Sequence, residues 1–294
     1  MGCAKRILED CTLCPRCCHA NRLKGELGQC RSGERAIVSS HGPHFGEEAP
    51  LVGTGGSGTI FFAHCNLHCV FCQNCSISQV GEGSEASSRD LAYMMLSLQH
   101  RGYHNINLVT PTHVVPQILE ALELAVADGL YIPLVYNCGG YESVDTLRLL
   151  DGIVEIYMPD IKYADSSVAS QCSGIEDYAA INRAAVKEMH RQVGDLQIDD
   201  EGMALRGLLV RHLVLPPGLA GTHKTAESLA DEVSSNTYVN IMAQYHPCHR
   251  AYDFPFLSRS LTKEEYLEAV TLALQHGLNR LDQLHYPRTA RVSF

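Results

Sequence analysis

The sequence predicts an α/β protein: a partial (β/α)6 TIM-like barrel carrying a cysteine-rich N-terminal extension. Three observations lead there. From residue 57 onward, short apolar runs alternate with amphipathic stretches, as they do where crossover helices join parallel strands. Residues 58 to 244 hold six strand-plus-connection units, each about the size of one βα repeat, whereas a closed eight-stranded barrel usually needs about 250 residues. Nine of the 13 cysteines crowd into two short clusters, one ahead of this array and one directly behind its first strand. An open doubly wound sheet is the competing arrangement.

Taken in order, the first thirty residues contain Cys11, Cys14, Cys17, Cys18 and Cys30. HGPHFGEEAPLVGTGGSG (41 to 58), rich in Gly and Pro and without a sustained period, reads as a connection. The division between extension and barrel is placed near residue 50, giving 1–50 and 51–294. The expected strands are GTIFFA (58 to 63), NINLV (105 to 109), IPLVYN (132 to 137), VEIYM (154 to 158), LLVRHLVL (208 to 215) and YVNIMAQ (238 to 244). Helices lie between them. SSRDLAYMMLSLQHRG takes Ser88 as N-cap and Gly102 as stop, and VVPQILEALELAVADG sets Ile118, Leu122 and Ala125 on one face before Gly129. EDYAAINRAAVKEMHRQVG is a longer helix and TAESLADEVSSN a short one. In SLTKEEYLEAVTLALQHG, Thr262 and Glu265 form a capping box that satisfies N–H groups the first turn leaves unpaired, and Gly277 ends the helix.

A hydrophobic fraction of 45% in 294 residues is enough for a sizeable core. The net charge of -10 argues against a general binder of nucleic acid or anionic membrane, whose phosphates an acidic surface repels. MGCAKRILEDC has no apolar stretch of signal-peptide length, and no window approaches eighteen uninterrupted apolar residues. The expectation is a cytoplasmic protein without a membrane segment. Met1-Gly2-Cys3 looks like an acylation start, but Arg6 stands where that pattern has Ser or Thr. Thirteen cysteines without a secretory signal point to metal or redox chemistry, because disulfides rarely persist in a reducing cytosol.

HCNLHCVFC (64 to 72) places Cys65, Cys69 and Cys72 on one loop. Thiolates so spaced wrap a compact centre and favour zinc, Cu(I) or an iron–sulfur cluster. Structural zinc takes four ligands, the fourth available from Cys75, His64 or His68. In parallel βα architectures chemistry collects at the carboxyl ends of strands. There stand Thr110-Pro111-Thr112-His113, Asn137-Cys138-Gly139-Gly140, Asp160 with Lys162, Arg211, and Gln244-Tyr245-His246. Each has a plain structural alternative: an ion pair for Asp160 and Lys162, an inter-strand bridge for Arg211, a hydrogen-bonded structural role for His246, and a small buried side chain for Cys138.

Cys65-Asn66-Leu67-His68-Cys69-Val70-Phe71-Cys72, behind an apolar strand that opens a βα array, resembles the CxxxCxΦC motif of the radical S-adenosylmethionine (SAM) enzymes, with Phe71 at the aromatic position. FFAHCNLHCVFCQN, VTPTHVVPQILEAL, MPDIKY, RHLVLPPG and CTLCPRCCHANRLKGELGQC extend the likeness. Over roughly residues 10 to 250 they are similar to homologues of the pyruvate formate-lyase activating enzyme. The resemblance implies that Cys65, Cys69 and Cys72 hold three irons of a four-iron four-sulfur (4Fe-4S) cluster. SAM then binds the fourth iron, so Cys75 stays outside. A reduced cluster cleaves SAM to methionine and a 5′-deoxyadenosyl radical that takes hydrogen from a substrate, the cofactors carrying the difficult chemistry.

The resemblance further implies a low-potential electron donor, flavodoxin or ferredoxin, and SAM contacts from Phe71, Thr110, Thr112, Asn137, Asp160, Lys162, Arg211 and His246. Thr110-Pro111-Thr112 replaces the Gly-Gly-Glu of the activating enzymes. Asp160-Ile161-Lys162 resembles their Asp-Leu-Lys, and Tyr245-His246 a Tyr-His pair near the adenosine. Arg211 suits the SAM carboxylate through paired hydrogen bonds. By analogy the substrate is a protein or peptide glycine. The alternatives are a small-molecule substrate, or a zinc- or cluster-binding interaction protein without catalysis.

Cys11, Cys14, Cys18 and Cys30, with Cys17 spare, form a possible second metal site, for zinc or a second iron–sulfur cluster. Zinc would staple a segment too short for its own core, and a cluster would relay electrons or shape the entrance.

Overall fold

The computed structural model describes residues 5–282, so Met1-Gly2-Cys3 lies outside the described residues. In chain order the elements are β1 (Ala36–His44), α1 (Ala49–Val52), β2 (Ser57–Phe62), β3 (Ser84–Ala86), α2 (Ser88–His100), β4 (Ile106–Val109), α3 (Val115–Ala127), β5 (Leu134–Cys138) and α4 (Val144–Arg148). There follow β6 (Ile156–Ile161), α5 (Ser166–Ser173), α6 (Tyr178–Val193), β7 (Gln197–Ile198), β8 (Ala204–Leu213), α7 (Thr222–Glu232), β9 (Tyr238–Met242), α8 (Lys263–Gln275) and β10 (Arg280–Leu281). All six strands expected from the apolar runs are present, as β2, β4, β5, β6, β8 and β9.

The strands lie in the order β10-β9-β8-β6-β5-β4-β2-β1-β3, and from β2 to β10 every pairing along this path is parallel. A doubly wound sheet reverses its strand order at a switch point. Here successive parallel strands are always neighbours, so the chain winds one way, as a partial barrel does.

Because side chains alternate across a strand, each strand divides its residues between two environments. Ile60, Phe62, Ile106 and Leu108 pack outward with Leu91, Met95 and Leu98 of α2 and Ile118 and Leu122 of α3. Tyr136, Tyr157, Leu208, Val210, Val239 and Ile241 meet α6, α7 and α8 in the same way. The opposite face carries Val135, Ile156, Met158 and Leu209, closed by fully buried Leu51 of α1. Asn107, Asn137, Asp160, Arg211 and Asn240 alternate in step with that inward set, which gives the barrel a polar belt. Burying a leucine such as Leu51 is worth about 1.5–3 kcal/mol.

Three details depart from the sequence reading. The segment read as a connection contains the end of β1, which pairs antiparallel with β2 (His41↔Ile60, Gly42↔Thr59) across the division at residue 50. Pro43 fits there because β3 pairs β1 only along Ala36 to Val38, leaving the outer side of Pro43 without a ladder to break. The N-cap of α2 is Ser87, not Ser88: Ser87 and Asp90 exchange both capping-box bonds, while the Ser88 hydroxyl donates to Glu120. Helix α7 begins at Thr222, three residues ahead of the TAES run. At α8 both bonds of the expected capping box, between Thr262 and Glu265, are present. Among the described residues no helix is long and apolar enough to cross a membrane.

Replacing Thr262 by Ala removes the acceptor for the Glu265 N–H and should lower unfolding stability by about 1 kcal/mol. A denaturant titration checks this: the midpoint should fall with the slope unchanged.

Candidate active site

The loop behind β2 is held in a shape its residues do not favour. His64 (φ 68°) and His68 (φ 57°) are both left-handed, at a cost of roughly 1–2 kcal/mol for each non-glycine residue. Contacts from outside the loop offset this. The His64 N–H donates to the Ile77 carbonyl at 2.9 Å, and the His68 ring lies 2.9 Å from the Gln29 carbonyl in the extension. Leu67, Val70 and Phe71 are buried with Cys69, while Cys65 and Cys72 are half-buried.

Each of the three motif sulfurs meets at least one hydrogen-bonding group. The Leu67 N–H donates to Cys65 Sγ at 3.4 Å, the Ser173 hydroxyl donates to Cys69 Sγ at 3.2 Å, and Ser78 Oγ is hydrogen-bonded to Cys72 Sγ at 3.1 Å. Among the described residues Cys75, at the entrance to a single π-helical turn over Ser76–Val80, has no such partner. Burial, reinforced by the neighbouring Cys69, pushes the Cys65 thiol up to about 12 and raises that of Cys72. Without a cation these thiols stay protonated. A bound metal takes them as thiolates and releases the protons.

Cys69, Phe71, Cys72, Gln73 and Asn74 form one wall of a cleft of about 230 Å³, with Asp160, Lys162, Arg211, Leu213, Met242, Gln244 and Tyr245 opposite. Phe71 stands edge-on to Tyr163 and Tyr245, at 6.2 and 5.8 Å between ring centres. Asp160 accepts from Lys162 Nζ at 2.5 Å and from Arg211 Nε at 2.8 Å. Burial alone would raise the Asp160 carboxyl; the Arg211 and Lys162 charges outweigh it and hold the group below its usual range. Burial opposes charge on Lys162 too, but the Asp160 carboxylate leaves its pKa raised. Arg211 also donates to Asn137 Oδ1 at 2.6 Å and pairs with Glu47 at 3.6 Å, so its guanidinium is committed to protein partners. Lys162 keeps N–H donors beyond the one given to Asp160.

Of the residues expected around SAM, the structure thus gathers Phe71, Asp160, Lys162 and Arg211 on the cleft, with Asn137 behind Arg211. The others lie off its lining. Thr110 (φ 59°) donates its N–H to the Asn137 carbonyl, and fully buried Thr112 gives its hydroxyl to Glu142 at 2.7 Å. His246 is exposed at the rim, 3.3 Å from the Gln73 amide.

Sequence reasoning did not find Glu47, Gln73, Asn74, Ser78, Ser173 or Glu142. The adjacent acids Glu47 and Glu48 in an otherwise uncharged Gly/Pro-rich stretch were the available signal for the first; the others are single polar residues without one. Glu142 is buried with Tyr136 and Thr112 as donors, and burial dominates to push its carboxyl up to about 7.

In the extension Cys11, Cys14 and Cys30 are buried, Cys18 half-buried and Cys17 exposed. Burial pushes Cys14 up to about 12 despite the Arg16 N–H and Asn66 amide that donate to it, and its neighbour Cys30 adds to the rise. The Gln29 N–H donates to Cys18 Sγ at 3.3 Å. That sulfur packs so closely on Gly28 that a Cβ there would come within 2.9 Å. Among the described residues no three Cys, His, Asp or Glu side chains are gathered as for a single metal ion.

No family model matches the chain. It is 33% identical over 285 residues to the uncharacterized protein MJ0674 of Methanocaldococcus jannaschii, a match covering 94% of this chain and 78% of that one. The chain belongs to that protein's family. Among solved structures it is similar to a radical SAM methyltransferase from Sphaerobacter thermophilus, with a TM-score of 0.51 and 14% identity over 75% of this chain. It is also similar to native anSMEcpe with bound AdoMet and Kp18Cys peptide, at 0.50 and 10% over 72%. The match covers 64% and 57% of those two chains, less than two thirds of either. The shared feature is the fold, a partial barrel.

Two measurements follow from the site. Asp160→Ala leaves two buried cations without their anion and should cost about 3–5 kcal/mol of stability, read by denaturant unfolding. Glu142 has a folded-state pKa of about 7 against an ordinary 4.5, so the folded protein binds the extra proton between those values. Its contribution is complete below about pH 4.5 and is lost as pH rises toward 7. Glu142→Gln should flatten that part of the stability profile by a few kcal/mol.

Proposed function

We propose that the protein is a radical SAM enzyme, with Cys65, Cys69 and Cys72 holding a 4Fe-4S cluster at the cleft. The observation that carries this reading is the selective hydrogen bonding of those three sulfurs, which leaves Cys75 aside. Hydrogen bonds to thiolate sulfur orient cluster ligands and tune their potential. Three soft donors on one loop, Cys69 and Cys72 of them on the cleft wall, fit a multi-iron centre in which each thiolate would serve its own iron. When bound, cluster and SAM supply a reductive cleavage that yields a hydrogen-abstracting radical.

The chain's own groups do the rest. Leu67 N–H, Ser173 and Ser78 stabilise the thiolates. Lys162, with N–H donors to spare and a raised pKa, presents a fixed positive charge to the SAM carboxylate. Arg211 acts instead through Asp160, which it keeps ionised and in place. Gln73, Asn74 and Gln244 offer amides to the polar parts of SAM, and Phe71, Leu213 and Met242 an apolar wall.

A protein glycine as substrate, as for the activating enzymes, is supported by the motif resemblance and by an open barrel side that admits a large partner. A small-molecule substrate is the alternative. A low-potential flavodoxin or ferredoxin completes the reaction as electron donor. Cys11, Cys14, Cys18 and Cys30 are proposed as a second iron–sulfur site, supported by the N–H groups on Cys14 and Cys18; their sulfurs are not gathered as a single zinc ion requires.

Anaerobic reconstitution followed by iron and sulfide assay, reduction and a search for 5′-deoxyadenosine tests the reading. The expected result is SAM cleavage that Cys69→Ala abolishes and Cys75→Ala retains. Zinc without labile sulfide, or a reduced cluster that leaves SAM intact, would overturn it.

A further inference from the structure

The three-thiol loop has a second face, away from the cleft, and there the extension builds a surface of unusual sign. A hollow of about 750 Å³ is lined by Arg16, Arg31, His68, Leu27, Cys18 and Ser173, with no carboxylate in its lining. The chain as a whole carries a charge of -10. Arg16 donates only to backbone carbonyls, those of Asn66, Gly174 and Ser173 at 3.0, 3.3 and 3.4 Å, so its charge is not neutralised. Arg31 is exposed and, among the described residues, has no carboxylate partner; its left-handed backbone (φ 53°) is a conformation rare for such a side chain. The positive field of the hollow comes from these two arginines. Leu27, 57% exposed, supplies an apolar contact among them.

The hollow is also close in bonding to the cluster thiols. Ser173 lies in its lining, and its hydroxyl donates to Cys69 Sγ at 3.2 Å. His68, on the same surface, immediately precedes Cys69 in the chain. Cys69 itself faces the cleft as well. A partner in the hollow therefore lies one hydrogen bond from a cluster ligand that also lines the cleft.

We propose that this hollow is the docking and electron-entry surface for an acidic, low-potential electron-transfer protein. The proposal rests on the radical SAM reading of the same loop. One electron leaves the reduced carrier, which is oxidised by one, and the oxidised four-iron centre gains it; no bond forms or breaks. Complementary charge raises the association rate and fixes orientation, and its effect declines with salt.

The test uses the reconstituted holoenzyme, a reduced acidic flavodoxin as probe, and the Arg31→Glu and Leu27→Asp variants. Binding is read by fluorescence anisotropy across a salt series, and cluster reduction by loss of visible absorbance. At low salt Arg31→Glu should weaken flavodoxin binding at least tenfold, remove most of its salt dependence and slow reduction by flavodoxin. Reduction by dithionite should be unchanged, which also shows an intact fold. Leu27→Asp should behave alike, and Arg31→Lys should retain binding. Flavodoxin binding that is the same in wild type, Arg31→Glu and Leu27→Asp overturns the docking surface alone. Wild-type protein that fails to cleave SAM even with dithionite overturns the enzymatic reading instead.

Discussion

A buried carboxylate held between two cations organises the mouth of this barrel. The parallel register of β6 and β8 sets Asp160 opposite Arg211, and that of β8 and β9 sets Arg211 opposite Asn240. At an effective dielectric near 20, two such charges about 4 Å apart attract by about 4 kcal/mol. That attraction offsets the desolvation of the groups only while all of them are present. Because Arg211 also reaches Glu47, and Asn240 donates to Glu48, the network extends to the segment between β1 and α1 that closes the inner face of the barrel. The cleft thus has a charged wall whose central pair, Asp160 and Arg211, is set by strand register.

The opposite wall is a loop with little order of its own, and the extension supplies what it lacks. Arg16 holds the Asn66 carbonyl, the Gln29 carbonyl meets the ring of left-handed His68, and buried Arg22 donates to Gly33 and to the His113 carbonyl beside the Thr110-Pro111-Thr112 turn. Asn66 touches both cysteine groups: its amide donates to Cys14, and the Cys65 thiol lies 3.9 Å from its oxygen. The cysteine-rich segment is therefore a structural member of the site it precedes in the sequence.

What was legible in the chain follows from how far each signal reaches. The six parallel strands and the principal helices declare themselves by local period, and the Thr262–Glu265 box by a spacing of three residues. The three-cysteine motif is similarly self-contained. β1 carried no sustained alternation, since its burial fades after Val38 and it includes Gly42 and Pro43; only its pairing with β2 makes it a strand. Ser87 and Ser88 are chemically equal as caps, and the choice lay in which hydroxyl faces Asp90. Thr112 resembles a ligand contact until Glu142, 30 residues on, takes its hydroxyl. Ser173 stands 104 residues from the thiol it serves, a relation that no window of sequence displays.

The same long reach bears on how the protein is made. Arg16 finds Ser173 and Gly174 only across 157 and 158 residues of intervening chain. Synthesis delivers the extension first and those carbonyls much later, so the cysteine-rich segment cannot settle against its final neighbours until more than half of the polypeptide has left the ribosome. During that interval the N-terminal thiols stand ahead of the fold that will bury three of them. Those thiols are most accessible in the nascent chain, and maturation of this protein becomes a matter of timing as well as affinity.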